Sequence, residues 1–249
     1  MFIKKRMPRE KKIKLTEKNI NNCPSGLKVQ NNNKVFYFKK TSTVYSLKKI
    51  MPFFRHLNDL SDITDITWND RKRLGPLDKA SQAIMRGESS FTSAQKEVFA
   101  AFVSGLNACS FCYGSHAAVA DNFGIPTKTI EALLEDIDSA PIVSDEKPLF
   151  HYLKKLTLSP SKLIQEDADK IFREGWSEQD LQDLILIACL FNFYNRLLDG
   201  HGIKGNQAIY EFGAAHLHKN GYGVPWFIGL IKNYIKKIKI KKLSEAEAQ

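Results

Sequence analysis

Between Thr92 and His116 the chain reads TSAQKEVFAAFVSGLNACSFCYGSH, and the fold follows from this stretch. Thr92 followed three residues later by Gln95 is a capping-box pattern. The helix it opens carries Val98, Phe99, Phe102, Val103 and Leu106 at spacings of three and four, which sets them on one face. Asn107-Ala108 breaks it. A second helix then runs from about Cys109 to Phe123 and stops at Gly124-Ile125-Pro126, a C-terminal glycine with a proline beyond it.

The same grammar extends in both directions. Helices are predicted over Leu77 to Arg86, Thr127 to Ile137, Asp145 to Leu158, Ser161 to Glu174, Ser177 to Leu198, Asn206 to His218 and Trp226 to about Lys241. No alternating strand pattern of comparable length appears here, so the body is all-α. A faint repeat at an offset of 85 residues pairs Thr92 with Ser177 as helix starts, Asn107 with Asn192 as interior breaks, and His116 with His201. It suggests two related helical halves.

The chain has 249 residues, with 43% hydrophobic and 26% charged, which excludes a wholly disordered, collagen-like or coiled-coil protein. The longest apolar run, Leu184 to Phe191, is far shorter than the ~18 residues a bilayer span needs, and no transmembrane helix is expected. The net charge of +10 is unevenly spread: residues 1 to 50 hold 14 Lys and Arg against 2 acids. Six more lysines lie between Lys232 and Lys242, which leaves 17 basic and 23 acidic residues over 51 to 231. An acidic body argues against a nucleic-acid-binding core.

Three regions follow. Residues 1-50 form a basic, low-complexity extension expected to be disordered, with Val35 to Phe38 and Thr43 to Tyr45 as short strand candidates; a translation start at Met51, which would delete the extension, is equally consistent. The extension lacks the apolar segment of a secretory signal and the Arg/Ser pattern of an organellar presequence, so the cytoplasm is the expected location. Residues 51-224 form the helical domain. Residues 225-249 read as a basic amphipathic helix and tail, with Phe227, Leu230, Ile231, Tyr234, Ile235 and Ile238 on the apolar side. Such a helix docks on its own protein or a neighbouring subunit more often than on a membrane surface.

Four cysteines occur, Cys23, Cys109, Cys112 and Cys189. In a reducing compartment the Cys109-x-x-Cys112 pair points to redox or metal chemistry before a structural staple. Placed where one helix ends and the next begins, the sulfurs meet unpaired N–H groups and the positive end of a helix dipole, which favours thiolate. His116, four residues after Cys112, shares a helix face with it and can take the thiol proton. Glu97 precedes Cys109 by twelve residues; inside an apolar run it would be costly to bury without a partner, though at a helix start it could equally be solvated. Structural zinc wants four ligands and only three candidates share the locus, so no metal or other cofactor is expected. His201 reads as a turn residue, His216 and His218 as partners of a helix dipole, and Phe191, Phe193, Tyr194 and Leu197 as core or subunit contact.

Glu97, eleven intervening residues, Cys109-x-x-Cys112, three more and His116 together resemble the active-site pattern of the alkyl hydroperoxidase D and carboxymuconolactone decarboxylase superfamily. Ala83-Ile84-Met85-Arg86-Gly87, Leu106-Asn107-Ala108-Cys109 and Phe191-Asn192-Phe193-Tyr194-Asn195-Arg196 look like its peroxidase-related branch. The resemblance covers roughly Met51 to Val224. It implies a helical fold that assembles as trimers or hexamers and reduces peroxides without metal or haem. By the same resemblance Cys112 would attack and pass to sulfenic acid, Cys109 would resolve it as a disulfide, and Glu97 with His116 would relay protons. A lipoyl or thioredoxin-like dithiol would restore the pair. Alkyl hydroperoxidase D has a histidine inside the Cys-x-x-Cys where this chain has Phe111, which leaves the relay one base poorer. Two other functions fit the residues: a lyase like the decarboxylase members, which needs no cysteine pair, and a redox-sensing oligomer without turnover.

Overall fold

The computed structural model describes residues 28–31 and 34–37 by their backbone, and residues 52–223 and Ile238 more fully. The chain divides into two units, residues 1–48 and 49–249. In the first, β1 (Lys28–Asn31) pairs antiparallel with β2 (Lys34–Tyr37), Val29 opposite Phe36. β2 corresponds to the strand expected at Val35 to Phe38, and β1 was not expected. The other candidate strand, Thr43 to Tyr45, and the expected terminal helix over Trp226 to Lys241 lie outside the described residues, Ile238 aside.

The second unit is built of helices. α1 (Ile63–Asn69), α2 (Arg71–Leu74) and α3 (Pro76–Arg86) lead into the hairpin of α4 (Ser93–Leu106) and α5 (Ser110–Asn122). α6 (Thr127–Glu135), α7 (Lys147–Leu158), α8 (Gln165–Arg173), α9 (Glu178–His201) and α10 (Gln207–Asn220) complete it. α1 and α2 are too short and polar to show a period, and no pattern in the sequence announced them.

α4 is the hub. Thr92 and Gln95 form the reciprocal cap expected of them. Every residue from Lys96 to Ser104 is buried, so the helix is enclosed on all sides instead of presenting one apolar face. It packs on α5, α9, α7 and α6. Phe150 of α7 meets Phe99 and Phe102 with ring centroids 5.2 and 5.1 Å apart, tilted and edge-on geometries that aromatic quadrupoles favour.

The second long helix, α9, starts at Ser177, which caps with Asp180, and stops at Gly202, whose φ of 74° is a left-handed position that glycine accepts. Asn192 lies inside this helix and does not break it: its side-chain amide donates to Ala188 O at 2.9 Å and satisfies itself along the helix. His201 is accordingly the last helical residue and not part of a loop. By length and mean hydropathy (1.2) α9 could cross a bilayer, which the short unbroken apolar run had not suggested. Half of its apolar window is buried in the domain, where Leu184, Ile187, Ala188, Phe191 and Leu198 are core residues.

Two helix starts differ from expectation for local reasons. A 3-10 turn over Ser144–Glu146 precedes α7, whose second residue is Pro148. α8 begins only at Gln165, because Asp167 accepts the Ile164 amide at 2.9 Å and anchors the cap there.

Candidate active site

The elbow between α4 and α5 positions the cysteines. Ala108 N donates to Gly105 O and Cys109 N to Ser104 O, at 2.9 and 3.0 Å, the paired closure of a Schellman end. Ala108 takes the left-handed residue of that motif with φ 54°, a place usually given to glycine. This turn lets α5 begin at Ser110, with Cys109 at its N-cap and Cys112 in its first turn.

Side chains behind the elbow hold it closed. Asn107 Nδ2 donates to Asn195 Oδ1 at 2.8 Å and to Asn192 Oδ1 at 3.1 Å, both on α9. Asn195 Nδ2 donates to Ser104 Oγ at 3.0 Å, and Ser104 Oγ to Ala100 O at 2.7 Å. The two asparagines related by the 85-residue offset therefore touch each other.

Both sulfurs are buried. A cavity of about 150 Å³ is walled by Cys112 but not by Cys109. Phe111, His116, Phe191, Tyr194 and Tyr222 line it as well, so apolar surface surrounds a few polar atoms, the usual make-up of a small-molecule pocket. Burial pushes the Cys112 thiol well above the ordinary cysteine range, and the neighbouring Cys109 sulfur adds to the rise. The hydrogen bond from Cys112 holds Cys109 below that range against its own burial. A lowered thiol, expected from the helix start, is thus found only at Cys109, where the neighbouring thiol is the first cause, and burial gives the opposite direction at Cys112.

Glu97 is not a solvated helix-start acid; it is fully buried. Its Oε2 faces His116 Nδ1 at 2.7 Å, and its Oε1 accepts from Arg86 at 2.6 Å and from the Tyr222 hydroxyl at 3.0 Å. Burial alone would raise this carboxyl, but the hydrogen bond to His116, with the Arg86 guanidinium on the other oxygen, outweighs it and holds Glu97 below the usual range. Burial and the Glu97 charge push the Tyr222 phenol well up. The His116 ring stands edge-on to Phe191, centroids 4.4 Å apart.

The structure therefore joins Glu97 directly to His116, brings His116 to the cavity that Cys112 lines, and sets Cys109 beside Cys112. Arg86 and Tyr222 as partners of Glu97, and the asparagine cluster, were not expected as site residues. The cost of burying a carboxylate signalled that a partner was needed, but nothing local named it. His216 also lines the cavity, a role not foreseen for it, while His218 packs edge-on against Phe123 at 4.4 Å. Among the described residues no three His, Cys, Asp or Glu side chains gather as a metal site.

The architecture is shared with solved structures. An uncharacterised peroxidase-related protein from Silicibacter sp. TM1040 superposes with a TM-score of 0.53 at 18% identity, covering 61% of this chain and 91% of its own. An alkylhydroperoxidase AhpD core protein from Ralstonia eutropha JMP134, likewise an uncharacterised peroxidase-related protein, gives 0.55 at 16% identity over 60% and 78%. In sequence, the uncharacterised protein YdfG of Bacillus subtilis (strain 168) is 28% identical over 110 residues, 44% of this chain and 75% of that protein. No family model matches the chain. Its helical domain has the alkyl hydroperoxidase D-like fold found in these peroxidase-related proteins.

Proposed function

We propose that the protein is a thiol-dependent hydroperoxide reductase that cycles Cys109 and Cys112 between dithiol and disulfide. One observation carries this reading: Cys112 lines a small apolar cavity together with a His116 whose Nδ1 is anchored on a buried carboxylate. An ionised Glu97 fixes the proton of neutral imidazole on Nδ1 and leaves the Nε2 lone pair to act as base. His116 takes the Cys112 proton, and the sulfur attacks the terminal oxygen of the hydroperoxide. The S–O bond forms, the O–O bond breaks, and the alkoxide leaves as alcohol with the proton from His116. Cys109 then gives up its proton and attacks the sulfenic sulfur. The S–S bond forms as the S–O bond breaks, and the oxygen leaves as water with the proton that Cys109 released. An external dithiol, lipoyl or thioredoxin-like, returns both sulfurs to the reduced state by exchange.

The same reading includes a homo-oligomer, supported by the exposed face of α9 where Leu186, Cys189 and Phe193 recur at helical spacing. The deciding experiment follows consumption of cumene hydroperoxide with dithiothreitol as donor. Wild type is expected to turn over, Cys112→Ser to be inactive, and Cys109→Ser to stop as a sulfenic acid trapped by dimedone. Undiminished turnover by Cys112→Ser would remove the assignment of attacker.

A further inference from the structure

Glu97 is buried with three donors around it and only one of them is a permanent cation. Arg86, on α3, places Nη2 2.6 Å from Oε1. The guanidinium is itself fixed, donating to Met85 O at 2.9 Å and Leu217 O at 3.3 Å. It also lies over the rings of Tyr222 and Phe123, 5.1 and 5.6 Å from their centroids. It thus ties α3 to α10 and aims a charge at α4, an arrangement more elaborate than a surface ion pair.

A buried carboxylate needs one compensating positive charge. Arginine supplies it without ever releasing a proton. With Arg86 in place, His116 on the other oxygen is not required to be charged and can present a lone pair. Without it, the proton that balances Glu97 must come to the carboxylate–imidazole pair itself, and the base is occupied before any thiol reaches it.

Resting on the hydroperoxide-reductase reading for its purpose, we infer that Arg86 is a positioning residue: it keeps Glu97 ionised beside a neutral His116, so that Glu97 orients the imidazole and His116 alone carries the proton. This departs from a relay in which Glu97 and His116 both pass protons. Few other groups face the pair. Tyr222 follows α10 and shares Oε1; His216 of α10, Tyr194 of α9 and Cys112 of α5 line the same cavity, as do Asp62 and Asp78. Lys96, next to Glu97 in sequence, turns away and gives its ammonium to Ile84 O and Gly87 O at 3.0 and 3.1 Å.

Two measurements that need no peroxide test the inference. In the first, iodoacetamide alkylation of Cys112 is followed by mass spectrometry across pH in wild type, Arg86→Gln and Arg86→Lys. Loss of the cation favours every protonated form nearby, so the acid limb is expected to move up by about one pH unit in Arg86→Gln, about a tenfold slower reaction at its foot. Arg86→Lys, which keeps the charge but not the fork, is expected to retain the wild-type limb even if its overall rate falls. In the second, nitrogen-15 histidine spectra of wild type at about pH 7.5 are expected to show His116 neutral with its proton on Nδ1. An unmoved limb in Arg86→Gln, an equal displacement in Arg86→Lys, or an imidazolium in the wild-type spectrum would each overturn it. The wild-type spectrum decides even if the variants fail to fold. A protein that passes both tests yet consumes no hydroperoxide would refute the reading of function and leave the role of Arg86 standing.

Discussion

Cys112 lines the cavity and Cys109, three residues before it, does not, although both are buried at the start of the same helix. The two sulfurs therefore differ in position: one borders the cavity, and the other lies beside it away from the wall.

That division has a measurable electrostatic side. Cys109 owes its lowered value first to the hydrogen bond from Cys112. Cys112→Ala is thus expected to raise the Cys109 ionisation toward or above the ordinary cysteine value of about 8.5. Thiolate absorbance at about 240 nm, followed against pH in the variant and in wild type, checks this. A Cys109 midpoint that does not rise would mean that the helix start, and not the second thiol, supplies the stabilisation.

Glu97 links the site to stability. Its folded value lies below the usual carboxylate range, so its contribution is fully present above the unfolded value of about 4.3 and drains away as pH falls through the folded value. Urea midpoints measured from about pH 6 down to pH 3 should fall more steeply in wild type than in Glu97→Gln. At neutral pH the variant, which leaves Arg86 buried without its anion, is expected to lose about 3 to 5 kcal/mol.

Asn107 tests the elbow. Asn107→Ala leaves the side-chain oxygen of Asn195 without the donor that now lies 2.8 Å away, an omission worth about 1 to 3 kcal/mol. Chemical denaturation should register that loss. Because the same side chain braces the turn that carries the cysteines, Cys112 alkylation should change as well. A loss of stability with an unaltered thiol would separate the clamp from the site.

The proposed assembly is checked at Phe193, which is 43% exposed on α9. Wild type is expected to exceed the mass of a single 28.3 kDa chain in light scattering, and Phe193→Glu to move toward that mass with unchanged helical circular dichroism. A charge at the centre of an apolar contact has no partner and is strongly disfavoured. A wild-type monomer would end this part of the reading.

Local chemistry wrote much of the fold into the chain. Thr92 with Gln95 and Ser177 beside Asp180 cap their helices through side chains a few residues away, and Gly124 and Gly202 end helices by taking backbone angles other residues resist. The Cys109-x-x-Cys112 and His116 spacing was equally legible, because residues four apart on a helix share a face whatever surrounds them. Where such signals were absent the reading fell short. Ala108 closes a turn without glycine, and Asn192 sits in mid-helix because its amide finds a carbonyl one turn back.

By itself, then, the sequence determined the helical grammar and the helix-start cysteines, since these depend on neighbours within a turn or two, and left open whether Glu97 is buried or solvated. Tertiary structure alone decided that it is buried and that its company is Arg86 and Tyr222, from segments 11 and 125 residues away. It also decided that Cys112 faces the cavity and that burial holds its proton while Cys109 loses one more readily. These depend on desolvation and on which remote charges packing brings together, and neither leaves a mark on residue spacing.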